Sequence, residues 1–142
     1  MYSLGYQCVT NIDINADLVA TMSNRFSNMN EMQFAVVDAC ATNIPPKSFG
    51  LVFDKAFLDY LLASSQPARA ESYLGEVSRL LDTNGLAIFI SHGVPERRLA
   101  LLARCFQVPP SLIKVTTLPK PNVPGMDLGA AKDYYVYKVT KI

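Results

Sequence analysis

A chain of 142 residues, half of them hydrophobic and 18% charged, has the length of one domain and enough apolar mass for a core, which argues against intrinsic disorder. Thirteen basic against twelve acidic residues give a net charge of +1 without a Lys/Arg run, so no nucleic-acid partner is expected. Nothing approaches the roughly 18 consecutive apolar residues of a membrane helix, and Met1 to Gln7 lacks the basic start and apolar stretch of a signal peptide, so no membrane partner is expected either.

The first element expected is a strand from Tyr6 to Ile12, entered through Gly5. Asn15 suits the N-cap of a helix, Asp17 places an acid in its first turn, and Leu18, Val19, Met22 and Phe26 fall at helical spacing. Ser27 to Asn30 reads as a loop and Met32 to Val37 as the second strand. Pro45 and Pro46 cannot donate backbone hydrogen bonds, so Asn43 to Ser48 continues neither a helix nor a central strand. Phe49 to Phe53 is the third strand. Ala70, Tyr73, Leu74, Val77, Leu80 and Leu81 then form one apolar helical face, which Asn84 and Gly85 bring to an end. Leu86 to Ile90 is a fourth strand, buried by its composition. Pro95 opens a helix running through Leu99, Leu102 and Phe106. Leu112 to Leu118 is the fifth strand, and a loop with Pro119, Pro121, Pro124 and Gly125 leads to a final strand, Tyr134 to Lys141, paired with the fifth. Strands alternating with helices, then two strands joined without one, indicate an α/β fold: a mostly parallel sheet with an antiparallel end. No internal repeat and no domain boundary is evident.

Three of the apolar runs stop on an aspartate: Val9 to Asp13, Phe34 to Asp38 and Leu51 to Asp54. Ligands of open α/β sheets bind just outside the carboxyl ends of parallel strands, so three such carboxylates would line one rim. Each taken singly also suits a turn or a helix cap. Cys8, Cys40 and Cys105 are odd in number, far apart and without CxxC spacing, and His92 is the sole histidine. A reduced, intracellular chain with no metal centre is expected from that, and a cytoplasmic location with it.

The segments Gly5-Tyr6, Asn11 to Ile14, Phe53 to Asp59 and Glu76 to Leu81 resemble the class I S-adenosylmethionine-dependent methyltransferases, and among them the eukaryotic protein-lysine methyltransferases acting on translation elongation factors. The resemblance runs from Leu4 to Lys141 and implies a Rossmann-like seven-stranded methyltransferase sheet whose last strand is inserted antiparallel. It implies S-adenosylmethionine as cofactor and a protein substrate, such as a translation factor, as partner. Asp13 matches the acid that grips the adenosine ribose, since one carboxylate can accept from both hydroxyls of a vicinal diol. Ile14 matches an apolar cover for the adenine, and Asp38 with Ala39 the position at the adenine edge. Asp54 closes the strand where the methyl-transfer site opens; Lys55 and Asp59 follow it in a segment similar to the Asp-Lys-Gly-Thr-Leu-Asp of that group. Asp54 and Asp59 are expected to position the acceptor rather than act as strong bases, because a nearby carboxylate hinders deprotonation of an acceptor lysine. Lys55 reads equally as a solvated surface lysine. Ala56 and Phe57 replace the Gly and Thr of that group, and a larger residue at this turn narrows the substrate entrance. His92 either reaches the pocket rim or caps a turn, and Tyr134 to Tyr137 read as sheet packing.

The family's first strand and its glycine-rich loop have no counterpart in this sequence. On the resemblance, residues 1–142 are therefore expected to be a partial methyltransferase domain lacking that strand, with Met1 an internal methionine and Met1 to Gly5 the end of the helix after the loop. A truncated gene model, an alternative start and a degenerate copy all fit. Such a chain is expected to be a poor catalyst and to self-associate through open sheet edges. Two other readings stand beside the methyltransferase. One is a nucleotide-linked oxidoreductase, because an acid after a second strand also binds the ribose of NAD. The other is a non-catalytic methyltransferase-like remnant acting as a binding module.

Overall fold

The structure, a computed structural model, describes residues 5–6, 8–64, 66–121 and 132–142. The expectations placed on Met1 to Leu4 and on the loop at Pro124 and Gly125 lie outside these residues. The chain divides into two compact units, residues 1–42 and 43–142.

The first unit is a strand–helix–strand element: β1 (Val9–Asp13), α1 (Ala16–Arg25) and β2 (Met32–Val36). β1 and β2 are parallel, with Val9 opposite Met32 and Asp13 opposite Val36. The expected helix start holds: the Asn15 side chain accepts from the Leu18 amide at 3.1 Å. Asp17 in the first turn and Arg25 in the last suit the helix dipole. The Phe26 and Phe34 rings stack with centroids 6.0 Å apart, tying the helix end to β2. No residue of α1 is buried all the same, and Leu18 is 45% exposed.

The second unit contains β3 (Phe49–Lys55), α2 (Phe57–Ala63), α3 (Pro67–Leu80), β4 (Leu81–Ser91), α4 (Pro95–Phe106), β5 (Lys114–Pro119) and β6 (Asp133–Thr140). Its sheet has the order β3-β4-β6-β5. β3 and β4 are parallel, and β6 runs antiparallel to both β4 and β5, as the sequence suggests. Ala87, Phe89, Tyr137 and Val139 are buried on one face of this sheet, and α2, α3 and α4 pack there. Phe106 of α4 meets Phe89 edge-on with centroids 6.1 Å apart. On the opposite face Phe53 is 47% exposed and Ile88 and Ile90 are half-buried.

Several boundaries move. β1 begins at Val9, not Tyr6. α3 stops at Leu80, and Leu81 turns into β4 with extended backbone. Asn84 does take the left-handed conformation (φ 65°), but inside the turn that enters β4's ladder: its amide donates to the Lys141 carbonyl, and the Lys141 amide to that of Gly85. Gly85 is needed there because a Cβ would stand 2.8 Å from the Asp82 carbonyl oxygen. Pro110–Leu112 form a 3-10 turn, so the fifth strand starts at Lys114. β3 runs past Asp54 to Lys55, and α2 is a helix that the apolar periodicity did not predict.

Candidate functional site

In the first unit the carboxyl ends of β1 and β2 lie side by side. Asp13 is the last residue of β1, and its carbonyl accepts from the Val37 amide at 3.0 Å, one residue before Asp38. One Asp13 carboxylate oxygen accepts from the Asn15 amide at 2.8 Å, which fixes the side chain on the turn into α1. Its second oxygen accepts nothing among the described residues. Ile14, directly after it, is 66% exposed. Asp38 is half-buried and accepts from the Cys40 amide at 2.9 Å, a turn that sets Ala39 between them. An apolar hollow bounded by Ile12, Leu18, Val19, Met22 and Phe34 reaches Asp13 at its margin. Acceptor oxygens beside uncovered apolar side chains suit a ligand that couples a vicinal diol to a flat ring, so these residues fit an adenosine.

In the second unit the acids are more deeply held. Asp54 is 5% exposed, and its two oxygens accept from the amides of Phe57 (2.8 Å) and Leu58 (3.0 Å). The Tyr73 hydroxyl adds a third hydrogen bond. Asp54 thus caps α2 from inside β3, across a left-handed Ala56 (φ 68°). Burial raises its pKa above the usual carboxylate range against the opposing pull of these donors. Lys55 is exposed at the end of β3 and makes no hydrogen bond or ion pair among the described residues.

Asp59 stands at the centre of a network. One oxygen accepts from Ser91 Oγ at 2.5 Å and from Arg98 Nη2 at 2.9 Å, and the other from the His92 amide at 2.7 Å. Ser91 Oγ accepts in turn from the Gly93 amide at 2.9 Å. The Tyr137 hydroxyl donates to the Gly93 carbonyl at 2.6 Å, and burial pushes that phenol up to about 12. Burial pulls the Asp59 pKa upward, but the hydrogen bonds from Ser91, His92 and Arg98, with the Arg98 charge, outweigh it and leave it lowered. Sequence reasoning missed Ser91 and Arg98, which lie 32 and 39 residues from Asp59. The pairing of β3 with β4, and the helices α2 and α4 that follow those strands, bring them together. Among the described residues no cluster of His, Cys, Asp and Glu could hold a metal ion.

Residues 1–89 match the family described as methyltransferase domain. The chain is 36% identical over 95 residues to the Drosophila melanogaster eEF1A lysine and N-terminal methyltransferase homolog, an alignment that covers 64% of this chain and 14% of the relative. It is 31% identical over 104 residues to the Mus musculus eEF1A lysine methyltransferase 4, covering 67% of this chain and 41% of that protein. The chain thus spans a minor part of the length of these curated relatives. Among solved structures it is similar to a Methanosarcina mazei S-adenosylmethionine-dependent methyltransferase, with a TM-score of 0.71, 16% identity, and coverage of 99% of this chain and 86% of the other. The Bradyrhizobium japonicum N-methyltransferase NodS, solved with S-adenosylhomocysteine, gives a TM-score of 0.69 at 13% identity, covering 93% of this chain and 65% of that one. At such identities the likeness is one of fold: an α/β, Rossmann-like methyltransferase sheet.

Proposed function

Because this chain belongs to the methyltransferase domain family, we propose that it is an S-adenosylmethionine-dependent methyltransferase whose acceptor is a protein lysine, met on a translation factor in the cytoplasm. The observation that carries this reading is the pair of parallel strands β1 and β2, with Asp13 closing the first and Asp38 two residues past the second, one Asp13 oxygen left unpaired among the described residues and Ile14 exposed next to it. Asp13 accepts from the ribose hydroxyls, Ile14 covers the adenine, and Asp38 with Ala39 meets its edge. The lysine acceptor is supported by relatives described as eEF1A lysine methyltransferases.

Methyl transfer from a sulfonium needs alignment more than acid–base help, and alignment is what proximity supplies. Asp54 serves it by fixing the start of α2, and Asp59 by fixing the segment after β4. Neither is suited to be a strong base: one is spent on backbone amides, and the other is charge-paired with Arg98. Lys55 is assigned to the acceptor side with them.

Isothermal titration calorimetry of S-adenosylhomocysteine, with NAD as the rival ligand, tests the reading. Asp13→Ala is expected to weaken S-adenosylhomocysteine binding by about 1.5–3 kcal/mol, the scale for hydrogen bonds to a charged group. Unchanged affinity in that variant removes Asp13 from the site, and preferential binding of NAD overturns the methyltransferase.

A further inference from the structure

The segment after β4 lies against the start of β6. β6 runs antiparallel to β4 with Ser91 opposite Tyr135, so the next step of the register sets His92 beside Tyr134. Because β6 is antiparallel, its first residues lie at the carboxyl ends of β3 and β4, the rim where open α/β sheets take ligands. The exposed His92 ring meets the Tyr134 ring edge-on, centroids 4.8 Å apart. The ammonium of Lys120, just past β5, lies 5.3 Å from the centroid of the same Tyr134 ring.

Four contacts immobilise this corner. Asp59 holds the His92 amide, the Arg98 guanidinium and Ser91 Oγ, and Tyr137 holds the Gly93 carbonyl. Gly93 itself admits Arg98 because a Cβ there would collide with the guanidinium. The Arg98 and Asp59 side chains are only 13% and 15% exposed, so the pair that holds the His92 backbone is itself largely shielded from water.

The geometry points to Tyr134 and His92 as a platform for an alkylammonium at the acceptor rim, held in place by Asp59 and Arg98 as positioning residues and occupied within the chain by Lys120. The face of a phenol ring attracts an ammonium, and Lys120 shows the approach that a lysine of another chain would take. This deepens the lysine-methyltransferase reading and rests on it for the acceptor's identity. Asp59 then acts through the backbone of His92, not on the reacting nitrogen.

His92 is the sole histidine, so one pair of imidazole signals reports the corner in a 13C-histidine-labelled sample of the 142-residue chain. Nα-acetyl-lysine methylamide is titrated against it, with the norleucine analogue as the uncharged control. The lysine probe is expected to move the His92 signals and the norleucine probe not to. Lys120→Ala, which removes the internal occupant, should enlarge the response severalfold, and Tyr134→Leu should abolish it. Arg98→Met should shift the resting His92 signals towards those of a free imidazole and weaken the response, and Arg98→Lys should restore part of it. Far-UV circular dichroism and the urea midpoint separate these changes from unfolding. Equal responses to both probes, or no response from either the parent chain or the Lys120→Ala variant, would overturn the platform. S-adenosylhomocysteine binding is measured in parallel. A chain that binds it but whose His92 ignores the lysine probe refutes the platform alone, and the converse refutes the methyltransferase reading alone.

Discussion

Asp54 and Asp59 are five residues apart and respond to pH in opposite senses. The Asp59 pKa is lowered in the folded chain by Ser91, His92 and Arg98. Its contribution is therefore fully present above the unfolded carboxylate value and is lost as pH falls through the folded one. The Asp54 pKa is raised by burial, so its ionisation opposes folding as pH rises through the folded value. Urea midpoints measured between pH 6 and 3 should fall with acid more steeply in the parent chain than in Asp59→Asn; parallel profiles would show that the Arg98 pair contributes nothing. Ala56 supplies a further test. It sits at φ 68°, where a Cβ costs about 1–2 kcal/mol, and glycine returns part of the relief as unfolded-chain entropy. Ala56→Gly should raise stability by up to about 1 kcal/mol, read from the urea midpoint.

At the scale of elements, apolar periodicity identified α1, α3 and α4: α3 and α4 bury their apolar face, while α1 keeps the helical spacing of Leu18, Val19 and Met22 with no residue buried. It failed at α2, where Phe57, Leu58, Tyr60, Leu61 and Leu62 are apolar nearly all round and the helix start is set by a cap three residues upstream. Asp54 was legible as the close of an apolar run and as a residue suited to a cap, but the helix it caps was not, because that helix starts on the far side of a left-handed residue. Ser91 and Arg98 carried no local signal, and Tyr137 read only as sheet packing, since their meeting with Asp59 and Gly93 depends on strand register and on where α2 and α4 settle on the sheet. The cap gives a checkable consequence. Asp54→Ala leaves the Phe57 and Leu58 amides without their acceptor and should cost about 1–3 kcal/mol. Faster hydrogen exchange should follow, concentrated in Phe57–Ala63. Uniform loss of protection across the second unit would instead mark Asp54 as a part of the general core.

For the whole molecule, the two units share one unfinished feature. β1 pairs only with β2, and β3 only with β4, so each unit has a parallel strand with one edge free of a strand partner among the described residues. In β3 the amides of Val52, Asp54 and Ala56 face β4, as the hydrogen bond from Ala56 to the Ile90 carbonyl requires, so those of Leu51, Phe53 and Lys55 face outward. That edge is apolar, with Phe53 47% exposed, and carries one charge, that of Lys55, as protection against edge-to-edge pairing. The alternation predicts slow exchange at Val52 and Asp54 and fast exchange at Leu51, Phe53 and Lys55 in the monomer. It also predicts association of the 142-residue chain as concentration rises, because strand addition at β3 satisfies those amides and covers Phe53 at once. Sedimentation velocity over a hundredfold concentration range should show a shift to larger species, with protection at Leu51 and Phe53 rising in step. Phe53→Lys, which adds charge to the edge without touching the Asp54 cap, should hold the chain monomeric. A parent chain that stays monomeric throughout, or association that leaves those amides unprotected, would show that this edge is not the surface through which copies meet.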